Sequence, residues 1–202
     1  MEPFKPFTGI AAPFDAADVD TDQIAPTRFL LKPRDQGDYG AHLLHDLRYD
    51  ARGNEQPDFI LNQGPYRRAS ILVANENFGC GSSREQAAWC CADFGIRVII
   101  APSLGDIFKA NCAKLGVVPA IVAPEPLERL RESLHRSPGA TLTVNIDECM
   151  IRGPGNWKEP FHIEEYFRHR LLKGVTDFDL SASHTEAIHD FQQSYQQLVP
   201  WS

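Results

Sequence analysis

"ASILVANENFGCGSSREQAAWCCADFGIRVIIA", residues 69–101, decides the fold. Its first six residues, "ASILVA", form an unbroken apolar run of strand length, as in a strand buried on both faces. Residues 75–81 carry two glycines and read as a loop. Ser82 and Glu85 stand in capping-box spacing, which predicts a helix beginning at Ser82. Ala87, Ala88, Cys91 and Phe94 give that helix an apolar face, and Gly95 marks its end. "RVIIA", residues 97–101, repeats the buried-strand pattern. A strand, a loop, a helix and a second strand in succession make a unit of an α/β domain.

Downstream the pattern continues. Ser103 or Asp106 opens a helix that runs to Leu115 and stops at Gly116. Residues 117–123 form a third strand, and Pro119 within it argues for an edge position or a bulge. Residues 124–137 read as a surface helix. Residues 141–146 alternate like a half-buried strand, with 148–152 as the hairpin partner. A late helix spans 163–172 and ends at Gly174, and 186–198 predict a last helix against the body. Upstream, residues 8–14 form an opening strand. Residues 17–26, "ADVDTDQIAP", are rich in groups that favour Asx turns over a regular element. Residues 29–32 are apolar up to Pro33, 34–40 suggest a mobile loop, and 43–49 a helical turn or short helix.

Composition narrows the class. A chain of 202 residues fits one domain, or one domain with a tail. The net charge of −7 argues against a general nucleic-acid binder. No apolar run reaches the length of a membrane span, and residues 1–7 do not form a secretory signal. A cytoplasmic protein is the expectation. Five cysteines, an odd number with no CxxC pair, suit reduced thiols better than a disulfide framework. The seven histidines form no HExxH pattern and read as surface or packing residues.

Two stretches stand out chemically. In "GCGSSRE", residues 79–85, Gly79 and Gly81 allow close backbone approach to a ligand. Ser82 and Ser83 follow at an expected helix start, where anions are favoured. Arg84 adds a fork of donors suited to a carboxylate. The stretch reads either as a carboxylate- or phosphate-binding loop or as a capped helix with a surface arginine. It lacks the lysine of a P-loop and the spacing of a serine-hydrolase elbow. The second stretch is Asp20, Thr21, Asp22 and Gln23. Its acids suit a metal, an oriented basic group or a hydrogen-bonded turn, without calcium-loop spacing.

Together, "DVDTDQIAPTRFL" (18–30), "NENFGCGSSREQAAW" (75–89) and "DIFKANCAKLGVVPAIV" (106–122) resemble the 3-isopropylmalate dehydratase small-subunit family, in its order and separations. The likeness covers about residues 7–178. It implies an aconitase-like swivelling domain: three-layer β/β/α with a mixed or parallel central sheet. Residues 1–178 would form that domain, with 179–202 as a tail or helix packing on the body or on a partner. The resemblance implies a large subunit carrying a 4Fe–4S cluster, with no metal on this chain, in a heterodimer or heterotetramer. The implied reaction isomerises 2-isopropylmalate by dehydration and rehydration. Ser82 would act as the base, and Ser83 and Arg84 would hold a substrate carboxylate. Asp20, Thr21, Asp22, Gly79 and Gly81 would support the loop. Phe29, Leu30, Leu31 and Lys32 would set substrate choice. Related substrates (homoaconitate, citraconate or citramalate, other alkylmalates) and a non-catalytic regulatory role are the alternatives. The sequence departs from the family pattern at Gln86, where a histidine is usual, at Ala88 in place of proline, and at Leu47, where a tryptophan commonly precedes the arginine.

Overall fold

The computed structural model describes residues 1–31, 33–36 and 38–199. Its centre is a seven-stranded sheet of β1 (Phe7–Pro13), β2 (Ile71–Val73), β3 (Val98–Ala101), β4 (Val118–Ile121), β5 (Thr141–Asn145), β6 (Met150–Arg152) and β7 (Lys158–Pro160). The strand order is β4-β3-β2-β1-β5-β6-β7. From β1 to β4 the pairing is parallel, and from β1 through β5 to β7 it is antiparallel. The sheet is therefore mixed, as expected, and β1 joins its two halves.

Local sequence accounts for the two kinds of pairing. β2 and β3 are buried at every residue, as a parallel strand covered on both faces requires. β5 alternates between buried Leu142 and Val144 and more open neighbours. Parallel neighbours need long crossovers, and helices supply them. These are α4 (Glu85–Phe94) between β2 and β3, and α5 (Asp106–Lys114) between β3 and β4, which follow the short N-terminal helices α1 (Thr21–Ile24), α2 (Tyr39–His42) and α3 (His45–Arg48). The α6 helix (Pro124–Arg136) links β4 to β5. Pro119 sits on β4 at the sheet edge, where its missing N–H costs no ladder bond to a further strand.

Two apolar clusters hold the layers together. In one, Ala87, Ala88 and Cys91 of α4 and Phe108 and Cys112 of α5 pack with Leu72 and Ile99. The other joins Ile71, Val73, Val98 and Ile100 of the parallel half to Leu142, Val144 and Ile151 of the antiparallel half. Leu127, Leu130 and Leu134 of α6 close this second cluster, with Phe167 and Leu171 of α7 (Glu165–Lys173). Both halves of the sheet thus share that cluster.

Several expectations change. The α4 helix begins at Glu85, not Ser82, and its N-cap is Arg84 in an extended conformation with no side-chain cap bond. The Ser82 carbonyl accepts from the Thr21 hydroxyl at 2.8 Å, outside the helix. Residues 17–26 include a regular element after all: Asp20 caps α1 through a capping box with Gln23. Residues 34–40 contain a 3-10 turn, Arg34–Gln36, and the start of α2. The β7 strand, "KEP", is too short and polar to register as a strand from pattern alone. At the C-terminus, α8 (Asp177–Ala182) and α9 (Thr185–Leu198) form, but α9 buries none of its side chains against the body.

Candidate active site

The first two motifs meet face to face. An isolated bridge pairs Asp20 with Cys80. The Asp18 amide donates to the Glu76 carbonyl at 3.0 Å, the Gly79 amide to Val19 at 2.7 Å, and the Thr21 amide to Cys80 at 2.9 Å. Asn77 Nδ2 donates to Asp18 Oδ1 at 2.7 Å. Residues 18–21 thus zip along 76–82, through groups that a turn-rich segment leaves free of regular pairing.

The glycines set the loop's path. Gly79 has φ +77°, and a Cβ there would lie 2.3 Å from the Phe108 ring. Gly81 has φ +88°, which side-chain-bearing residues rarely adopt. Between them they turn Ser82 and Ser83 outward, where both are exposed. A cleft of about 440 Å³ runs beside the loop, lined by Gly79, Cys80, Ser82, Leu104 and Ile107 among others.

Arg84 turns the other way. Its guanidinium forks onto Asp22, with Nη2 donating to Oδ2 at 2.8 Å and Nη1 to Oδ1. Nη1 also donates to Thr27 Oγ1 at 3.2 Å, while that hydroxyl donates to Asp22 Oδ1 at 2.6 Å. The arginine side chain is 16% exposed and the aspartate 51%. The guanidinium hydrogen bonds, with Thr27 adding to them, hold the Asp22 carboxyl below its usual range. A second cleft, of about 460 Å³, lies beyond this pair, lined by Asp20, Asp22, Thr27, Arg28, Asp46 and Leu47 among others. There Arg28 forks onto Asp46 and holds its carboxyl at about 2.

The expected specificity residues separate. Phe29 stacks on His42 at 3.9 Å between ring centroids. Leu30 packs against the first apolar cluster, whereas Leu31 is 93% exposed. Lys32 lies outside the described residues. Gln86 is half-buried in the first turn of α4. Sequence reasoning passed over Thr27, Arg28 and Asp46. Thr27 and Arg28 lie inside a quoted motif, but only the return of the chain through α3 and the Arg84 loop shows what they touch.

Cluster ligation requires accessible thiolates. Burial pushes the Cys90 thiol up to about 12 and raises Cys91 and Cys112 as well. Cys80 is raised by burial, then by Asp20 and Asp18. Among the described residues no three His, Cys, Asp or Glu side chains converge on a metal position. The described residues therefore do not fit an iron–sulfur cluster.

The chain is similar over its whole length to known proteins. The model of the aconitase C-terminal domain matches residues 1–125. A 3-isopropylmalate dehydratase small subunit of Mesorhizobium japonicum is 44% identical over 202 residues, covering 100% of both chains. Another, from Dinoroseobacter shibae, is 43% identical over 201 residues, again covering 100% of each. The crystal structure of a 3-isopropylmalate dehydratase from Methanocaldococcus jannaschii superimposes with a TM-score of 0.64 at 24% identity, covering 92% of this chain and 98% of that one. By sequence over its whole length and by fold, this chain belongs to the family of 3-isopropylmalate dehydratase small subunits, built on the aconitase C-terminal domain.

Proposed function

We propose that this chain is the small subunit of a cytoplasmic hydro-lyase of leucine biosynthesis, which isomerises 2-isopropylmalate to 3-isopropylmalate by dehydration and rehydration. The observation that carries the reading is the outward-turned Ser82–Ser83 pair, braced by Thr21 and flanked by Arg84. Arg84, whose Nη1–Nη2 edge is taken by Asp22, offers its other edge to a substrate carboxylate, and the Ser83 hydroxyl adds a donor. Ser82 takes the carbon-bound proton as the neighbouring carbon–oxygen bond breaks and the hydroxyl departs as hydroxide. Rehydration reverses this with the hydroxyl on the adjacent carbon, and Ser82 returns the proton.

A serine hydroxyl in water is a weak base. Ser82 precedes α4 by three residues and is not its N-cap, so the charges that favour its deprotonated form come from across the closed site. They act strongly only when water is excluded. An exposed Ser82 therefore requires a partner that covers it, and the large subunit is that partner. When bound there, a 4Fe–4S cluster supplies a Lewis acid to the departing hydroxyl. Residues 1–178 act as the swivelling body that brings Ser82 to the substrate.

Anaerobic mixing with the cluster-loaded large subunit tests the reading, with 2-isopropylmalate as substrate and ultraviolet absorbance of the unsaturated intermediate as the signal. Turnover by the pair, by neither subunit alone, and at least about 100-fold lower with Ser82→Ala is expected. Undiminished turnover in that variant would remove Ser82 as the base. Absent turnover by a stable, cluster-bearing complex would remove the reaction.

A further inference from the structure

Asp22 and Arg84 lie 62 residues apart in sequence, yet they form the most directional side-chain contact at the site. The carboxylate takes the guanidinium end-on, across Nη1 and Nη2. Thr27 Oγ1 occupies the remaining Nη1 proton. That leaves Nε–H and one Nη2–H, which together make the second, side-on fork of an arginine. Neither has a partner among the described residues, and Nε is not shut away from solvent. Arg84 is mostly buried while Asp22 is half-exposed, so the pair presents a fixed guanidinium with one edge open.

We infer that Asp22, seconded by Thr27, is a positioning residue that holds Arg84 by one edge so that the other meets the substrate carboxylate. The inference rests on the carboxylate-binding role proposed for Arg84. An arginine loses considerable rotamer freedom when it binds a ligand, and a guanidinium already fixed by Asp22 has less to lose. The substrate's own carboxylate is not consumed in the reaction. Arg84 therefore binds ground state and transition state alike, and loosening it weakens binding more than turnover. The opposite arrangement, in which Asp22 is a plug that substrate must displace, predicts the opposite sign.

The test uses the reconstituted two-subunit enzyme and 2-isopropylmalate. Asp22→Asn keeps the side chain's shape and removes its charge. KM is expected to rise about tenfold, with kcat changed by less than about threefold. Thr27→Val is expected to raise KM in the same direction by a smaller factor. In an Arg84→Lys background, where no planar fork remains to be oriented, adding Asp22→Asn is expected to leave KM unchanged. A purely structural role would instead add its penalty in full, and that result would overturn the inference. So would a KM that stays level or falls in Asp22→Asn while thermal unfolding shows the variant folded. A native complex without turnover would overturn the function itself, and the inference with it. Normal native turnover with additive variant effects would overturn the inference alone.

Discussion

The Gly79–Arg84 loop and the α9 helix are both surface features, yet only the loop is held by the rest of the chain. Around the loop, Thr21 is 2% exposed, its amide and hydroxyl are both spent on carbonyls of the second motif, and Phe108 fills the space that Gly79 leaves. In α9, Ile188, Phe191, Tyr195 and Leu198 recur at helical spacing on one stripe and all remain exposed. The join between body and tail is made by Asp177, which pairs with the buried Arg170 at 2.8 Å. The contrast separates two kinds of order. The loop's shape is imposed by contacts distant in sequence, whereas α9 rests on its own backbone ladder and propensity. The position of Ser82 is therefore a property of this chain alone, while the stripe on α9 adds nothing to the chain's own core.

The largest expected effect would strike the first of these regions. Gly79→Ala forces an unfavourable positive φ and drives a methyl into the Phe108 ring. The two penalties together are expected to cost about 3 kcal/mol, and so to lower Tm by about 6–12 °C. Thermal unfolding of the isolated subunit checks this. A loss of under 1 °C would mean that the loop is not pressed against α5 as described.

Thr21→Val removes one hydroxyl at nearly constant volume. The Ser82 carbonyl then loses its donor in a part-buried position, at a cost of about 1–2 kcal/mol. Activity of the reconstituted enzyme is expected to fall further than stability, because the displaced carbonyl belongs to the serine itself. Equal kcat in Thr21→Val and the native chain would separate the brace from the chemistry.

Much of this was legible in residue order. Buried runs such as "ILV" and "VIIA" announce parallel strands, and Pro119 announces an edge, because burial and a missing N–H are local facts. The start of α4 was not legible. Ser82 and Glu85 have the right spacing for a cap, but Thr21, 61 residues earlier, binds the Ser82 carbonyl, and the cap position falls to Arg84. The same holds for Asp22. Its residue type suggested a metal, a turn or a basic partner, and only the fold selects Arg84. The polar β7 failed as a pattern because its pairing with β6 depends on the hairpin around it.

Acid offers a finer probe of the loop side. Arg84 holds the Asp22 carboxyl below its unfolded value, so the pair's contribution is present above the ordinary carboxylate range and is lost as pH falls through the lowered folded value. Because Asp22 is half-exposed, that contribution is small and screened by salt. The Tm of the native chain is expected to exceed that of Asp22→Asn slightly at neutral pH, and the gap to close in acid. A gap that widens in acid would mean that Asp22 is protonated while paired.

The smallest effect belongs to the tail. Ending the chain after Ser183 removes α9 and leaves Asp177 on Arg170. Since no side chain of α9 is buried, no core area is lost, and the isolated subunit is expected to keep its stability within about 0.5 kcal/mol, or about 2 °C in Tm. The truncated chain should also aggregate less, having shed an exposed apolar stripe. A fall of more than about 5 °C would show that the stripe is covered in the free chain and would erase the contrast with the loop. Unchanged stability would place α9 outside the folding unit, whose last tie to the C-terminal segment is then the Arg170–Asp177 pair.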